Sequence, residues 1–347
     1  MKTNLKILLG IFIALLLMGS YYIFAKVNLN SAKVDSISAI SKYEKLDEVL
    51  VYETEVDGAD QCSSYEVFDA TKSICSFECA SEAECADIQK SIDDELASWT
   101  DELKKDDAPV AEKIIKDNDK SERATYKVSV GEKISLVSGK DIEGYRKIWD
   151  DIKVLSPDDI SDKYIEEYQV FDNEKDDTLA FVDDQDGNGK WRIAINLAGH
   201  KSSNEREQKA TFIHELAHII TLNTSQVDPN ITKENCKNFY IDEGCTYANS
   251  YLNIFKNTFW KNVTKQNFSE IKFVTDYATT NEVEDVAESF AFFVLGKGQD
   301  VLGDSMRDQK VKGFYNYPEL VQIRKDMRNN LSADIVRAKK ISQEPKI

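Results

Sequence analysis

Hydrophobic and polar positions change period along the chain, and the changes divide it into regions. From Ile7 to Ala25 no residue is charged. A helix of that length covers roughly the 30 Å of a bilayer core. Lys2 and Lys6 precede the run and Lys26 closes it, which predicts an uncleaved signal anchor over 1–26 with the remainder of the chain on the extracytoplasmic side. The alternative is cleavage after Ala25 and secretion. Residues 27–60 are mostly polar and read as a stalk. In the charge-dense segment 86–123, Ile88, Ile92, Leu96 and Trp99 recur at helical spacing and predict a surface helix and linker. Ile142, Tyr145, Ile148, Trp149 and Ile152 repeat that spacing, with Pro157 beyond the helix end.

The period then shortens. Thr178 to Val182 and Trp191 to Leu197 read as two strands joined by the Asp/Gly/Asn-rich turn 183–189, a hairpin. In the second strand Trp191, Ile193, Ile195 and Leu197 alternate with Arg192, Ala194 and Asn196. Two later stretches, 211–220 and 281–290, return to helix-forming apolar sequence. The pattern predicts an α+β chain in four parts. These are the anchor (1–26), a stalk and cysteine-containing region (27–134), a mostly helical domain with a small sheet (135–335) and a C-terminal tail (336–347).

Charge narrows the range of partners. Among 347 residues, 44 Lys and Arg face 62 Asp and Glu, a net charge of −18. Such a surface repels phosphate backbones, so a nucleic-acid partner is excluded. Six cysteines agree with export. Cys62, Cys75, Cys79 and Cys85 cluster, while Cys236 and Cys245 form a second close pair. An even number outside the cytoplasm predicts disulfides, with the pairing of the first four left open.

Chemistry concentrates at His214-Glu215-Leu216-Ala217-His218, an H-E-x-x-H motif in a stretch free of Gly and Pro. On a helix the two histidines lie one turn apart on one face, so both imidazoles can reach one Zn²⁺. Glu215, beside the first of them, can then act as the general base. His200 is the only other histidine, and Thr224 occupies the position where a metzincin carries its third histidine. The third ligand is therefore expected to be a carboxylate, unless His200 folds in. Glu284, with Glu288 one turn later, is the preferred source, and Glu243 of Asp242-Glu243-Gly244 is the alternative. A separate calcium reading attaches to Asp184, Asp186 and Asn188, spaced like the start of an EF-hand loop but lacking its Glu at position twelve.

These residues resemble the gluzincin peptidases, in which H-E-x-x-H is completed by a Glu on a later helix. The run from Tyr277 through Asn281-Glu282-Val283-Glu284 to Ala287-Glu288-Ser289-Phe290 is similar to the catalytic domain of anthrax lethal factor and related bacterial zinc peptidases. The resemblance implies a zincin-like fold over roughly 140–330, with Glu284 as ligand, Glu288 behind a ligating histidine and Tyr277 as donor to an oxyanion. It also implies that Trp191–Leu197 is the edge strand along which an extended protein or peptide substrate lies. The expected function is zinc-dependent hydrolysis of extracytoplasmic proteins or peptides. The second reading is a membrane-tethered surface binding protein whose zinc site is structural or inactive.

Overall fold

The computed structural model describes residues 51–55, 67–69, 71, 74–78, 81–103, 121–175, 178–184, 187–261 and 268–343. The expected anchor and most of the stalk lie outside them, as do Cys62, Cys79 and Asp186. The side chains of Cys75 and Cys85 are likewise outside the description. Among the described residues no helix is long and apolar enough to cross a membrane. From Glu48 onward the chain forms one compact unit, of mixed α+β character and about half helical.

Its first elements are strands β1 (Val51–Glu55), β2 (Val67–Asp69) and β3 (Ile74–Glu78), paired in the order β1-β3-β2, followed by helix α1 (Glu82–Leu103). A five-stranded sheet comes next, built from β4 (Glu122–Ser129), β5 (Lys133–Gly139), β6 (Ile165–Phe171), β7 (Ala180–Asp183) and β8 (Trp191–Asn196) in the order β5-β4-β6-β8-β7. Only the β6–β8 pairing is parallel. Between β5 and β6 lie helices α2 (Glu143–Leu155) and α3 (Asp158–Tyr164). Trp149 of α2 meets Tyr168 of β6 at 5.3 Å between ring centres, and Tyr168 stacks on Tyr126 of β4 at 5.6 Å. The Tyr168 hydroxyl donates to the Tyr145 carbonyl at 2.9 Å. One face of the sheet is thus fastened to α2 by aromatic packing and a satisfied phenol.

The 178–197 hairpin forms as expected, Val182 opposite Ile193, but its place in the sheet differs from expectation. β8 lies between β6 and β7, so the edge strand is β7. The alternation in β8 does not mark an exposed face, because all six of its residues are buried. Its polar members are satisfied by neighbours. Arg192 pairs with Asp183 at 2.8 Å, and Asn196 Nδ2 donates to the Thr178 carbonyl at 2.9 Å.

After β8 come the short helix α4 (Leu197–Ser202) and then α5 (Glu205–Leu222), which carries the H-E-x-x-H motif. A capping box starts α5: Asn204 accepts from the Arg206 and Glu207 amides, and Glu207 accepts from the Asn204 amide. From Phe212 to Leu222 every residue is buried, as expected of a helix running through a core. A second small sheet, β9 (Val227–Asp228), β10 (Tyr240–Ile241) and β11 (Gly244–Thr246), is ordered β10-β11-β9 and closed by the Cys236–Cys245 disulfide. Helix α6 (Tyr251–Phe259), a 3-10 turn at Tyr277–Thr279, and helices α7 (Glu282–Leu295), α8 (Met306–Phe314) and α9 (Pro318–Gln343) complete the fold.

Two boundaries move. β4 and β5 belong to the main sheet, so the domain start expected at 135 falls inside a hairpin. The tail expected from 336 is helical through Gln343, as part of α9. α1 is also more than a surface helix. Ile92, Leu96, Trp99 and Leu103 are buried as it packs on α5, α7 and α9, each worth about 1.5–3 kcal/mol.

Candidate metal centre

α5 and α7 pack against each other and bring the predicted ligands together. His214 Nε2 and His218 Nε2 are 3.0 Å apart. Glu284 Oε2 lies 3.2 Å from the first and 3.4 Å from the second. Three ligand atoms on one face of a tetrahedron, bonded at about 2.0–2.1 Å, stand about 3.3 Å apart. Among the described residues His214, His218 and Glu284 are the group able to hold a metal ion.

His214 Nδ1 lies 2.6 Å from Glu288 Oε1, which places its ring proton there and leaves Nε2 as a lone pair. Glu284 Oε2 is buried and accepts no well-directed hydrogen bond. With that tautomer the centre sets acceptor atoms in contact in the interior, an arrangement that calls for a positive charge, either a metal ion or a proton on Nε2.

The helix that delivers Glu284 begins there for a local reason. Asn281 caps α7, its side chain accepting from the Val283 and Glu284 amides at 2.8 and 2.9 Å. Burial opposes ionisation of Glu284, but the adjacent His218 and His214 hold its carboxyl well below the usual range. Burial likewise opposes protonation of His214, yet Glu284 and Glu288 prevail and keep its imidazole well above its ordinary value.

Glu215 sits beside the centre. Burial pushes its carboxyl up to about 7, against the pull of His214 and His218. The Val182 amide of edge strand β7 donates to it. Tyr277, on the turn just before α7, has its ring 5.9 Å from that of His214. Burial first, then Glu284, Glu215 and Glu288, raise its phenol well above the ordinary value. It therefore remains a proton donor at neutral pH.

The alternatives separate clearly. His200 stacks on Phe212 at 6.5 Å between ring centres and is outside the group, its imidazole lowered by burial. Asp242-Glu243 does not start a helix but forms the tip between β10 and β11. The following Gly244 has φ +130, and a Cβ there would stand 2.4 Å from the Asp228 carbonyl oxygen. Glu243 feels the charge of His218 and its carboxyl is raised by burial, but it is not in the group of three. In the calcium-like turn, Asp184 accepts from the Asn188 and Gly189 amides at 3.1 and 2.6 Å, so it serves the hairpin turn.

One member of the site carries no sequence signal. Thr275 donates to Glu288 Oε2 at 2.6 Å and accepts from the Ala278 amide at 3.1 Å. A single hydroxyl thus ties the acid behind His214 to the turn carrying Tyr277. No protein-family model matches the chain, and no curated protein or solved structure is recognisably similar to it.

Proposed function

We propose that the protein is a zinc-dependent peptidase of the gluzincin type, acting on extracytoplasmic proteins or peptides. The observation that carries this reading is the triangle of His214 Nε2, His218 Nε2 and Glu284 Oε2 at 3.0–3.4 Å with Glu215 beside it. Its donor set, two imidazoles and one carboxylate, suits zinc and leaves room for a fourth ligand, as catalytic sites do and closed structural sites do not. Zinc, when bound, acidifies water and polarises a carbonyl.

The chain's own residues supply the rest. Glu215, poised near neutrality, accepts the proton of the attacking water and delivers it to the departing amine. Tyr277 donates to the oxygen that becomes negative as the carbonyl is attacked. Among the described strands β7 pairs on one side only, and an extended peptide adding to its other edge would run past Glu215, which the Val182 amide reaches. The role first expected of β8 therefore passes to β7.

Metal analysis and cleavage of a peptide library test the reading together. The parent is expected to hold one zinc and to cleave. Glu215→Gln is expected to retain zinc with no cleavage, and Glu284→Ala to lose zinc. A zinc-loaded parent that cleaves nothing, or a Glu215→Gln protein as active as the parent, would return the site to a structural role on a binding protein.

A further inference from the structure

The residue beside Glu284 has no part in the chemistry above, yet it is fully buried and charged. Consecutive side chains on a helix diverge by about 100°, and Asp285 turns toward α6 and α8. Its carboxylate receives Trp260 Nε1, from the end of α6, at 2.6 Å on Oδ2. The Ser289 hydroxyl, one turn along α7, donates to Oδ1 at 3.3 Å. Lys310 of α8 places Nζ 2.6 Å from Oδ2, with both side chains 0% exposed. The ammonium also sits 3.8 Å from the centre of the Phe273 ring, which Trp260 meets edge-on at 5.8 Å.

A buried ion pair adds little to stability, because desolvation offsets most of the attraction. Apolar side chains of similar volume often serve as well or better. What the hydrogen bonds from Trp260 and Ser289 to this carboxylate provide, and apolar packing lacks, is direction. We propose that Asp285 is a positioning residue for Glu284, locking the rotation of α7 about its own axis against α6 and α8. Side-chain tips lie about 5–6 Å from a helix axis, so a 10° rotation moves the Glu284 carboxylate by about 1 Å. Metal–ligand distances tolerate only about 0.2 Å. A few degrees of freedom in α7 would therefore loosen the third ligand while leaving the core filled. The inference rests on the zinc reading of the site and deepens it.

The test uses the full-length protein, with zinc affinity from chelator competition, the visible spectrum of the cobalt(II) form, and thermal melting. In Asp285→Leu/Lys310→Met the charged pair becomes an apolar one. We expect a folded protein melting near the parent's temperature, the apolar pair offsetting the acceptor lost to Trp260, with zinc binding weakened about 10–100-fold and altered cobalt bands. Parent-like zinc affinity and cobalt spectrum in a well-folded double variant overturn the inference. Should that variant fail to fold, Trp260→Phe decides, since it removes one directional donor and keeps the ion pair. About threefold to tenfold weaker zinc binding supports positioning, and an unchanged affinity overturns it. A parent that binds no zinc removes the peptidase reading and this inference with it. A parent that binds, beside unaffected variants, removes the inference alone.

Discussion

Thr275 shows how far single atoms are committed around the centre: its hydroxyl holds Glu288, and Glu288 holds His214. Tyr277 is the residue whose role is most open to direct test. Tyr277→Phe keeps the ring against His214 and deletes the donor. The expected result is a kcat reduced about 10²–10³-fold with KM little changed, read by steady-state kinetics on any cleaved peptide. A fall in zinc content instead would make the phenol a structural prop of Glu284. At this scale the sequence was readable wherever helix geometry fixes neighbours in advance. His214 and His218, or Glu284 and Glu288, must share a face whatever the rest of the chain does. Thr275 had no such period to announce it, since it acts from a loop across to another element.

At the scale of elements, α7 is held at both ends. Asn281 caps its start, and α9 closes the other end with two buried arginines. Arg324 donates to the Phe293 and Gly296 carbonyls at 2.6 and 3.0 Å. Arg328 donates to those of Val294, Leu295 and Gly296 and also pairs with Asp93 of α1. Cations at the carboxyl end of a helix meet its unpaired carbonyls and the negative end of its dipole. Arg328→Ala takes the side-chain donor from the Val294 and Leu295 carbonyls and the cation from Asp93, while Gly296 keeps Arg324, and should cost about 2–4 kcal/mol. Urea unfolding would show it as a lower midpoint at unchanged slope. Periodicity foretold the existence of α1, α2, α5 and α7. It did not foretell the strand order, because the parallel β6–β8 pairing joins strands separated in sequence by β7. Nor did it reveal that the polar half of β8 is buried, since Arg192 and Asn196 find partners only once the sheet is assembled.

For the whole molecule, the unit does not begin at 135. β4 supplies the Tyr126 ring stacked on Tyr168, and α1 covers α5, α7 and α9 while linking to them through Arg206–Glu95 at 2.6 Å and Lys297–Asp94 at 2.7 Å. A fragment of residues 135–347 lacks both, and is expected to show no cooperative thermal transition by circular dichroism where the longer chain does. Composition could not place this boundary: the helical spacing of Ile92, Leu96 and Trp99 is legible, but in so charged a segment it does not tell that this face is buried against α5, α7 and α9.

The trio of electron-rich atoms at the junction of α5 and α7 has a consequence for folding as well as for chemistry. Without a metal ion, the proton that Glu284 and Glu288 hold on the His214 imidazole must stand in for it between the two central helices. Metal uptake should thus act as a rivet. At zinc one hundred times above its dissociation constant, mass action adds about 2.7 kcal/mol, or about 5 °C in melting temperature for a chain of this size. Stripping the protein with a chelator and following the melt would reveal it: the helices that hold the ion should be among the first to part.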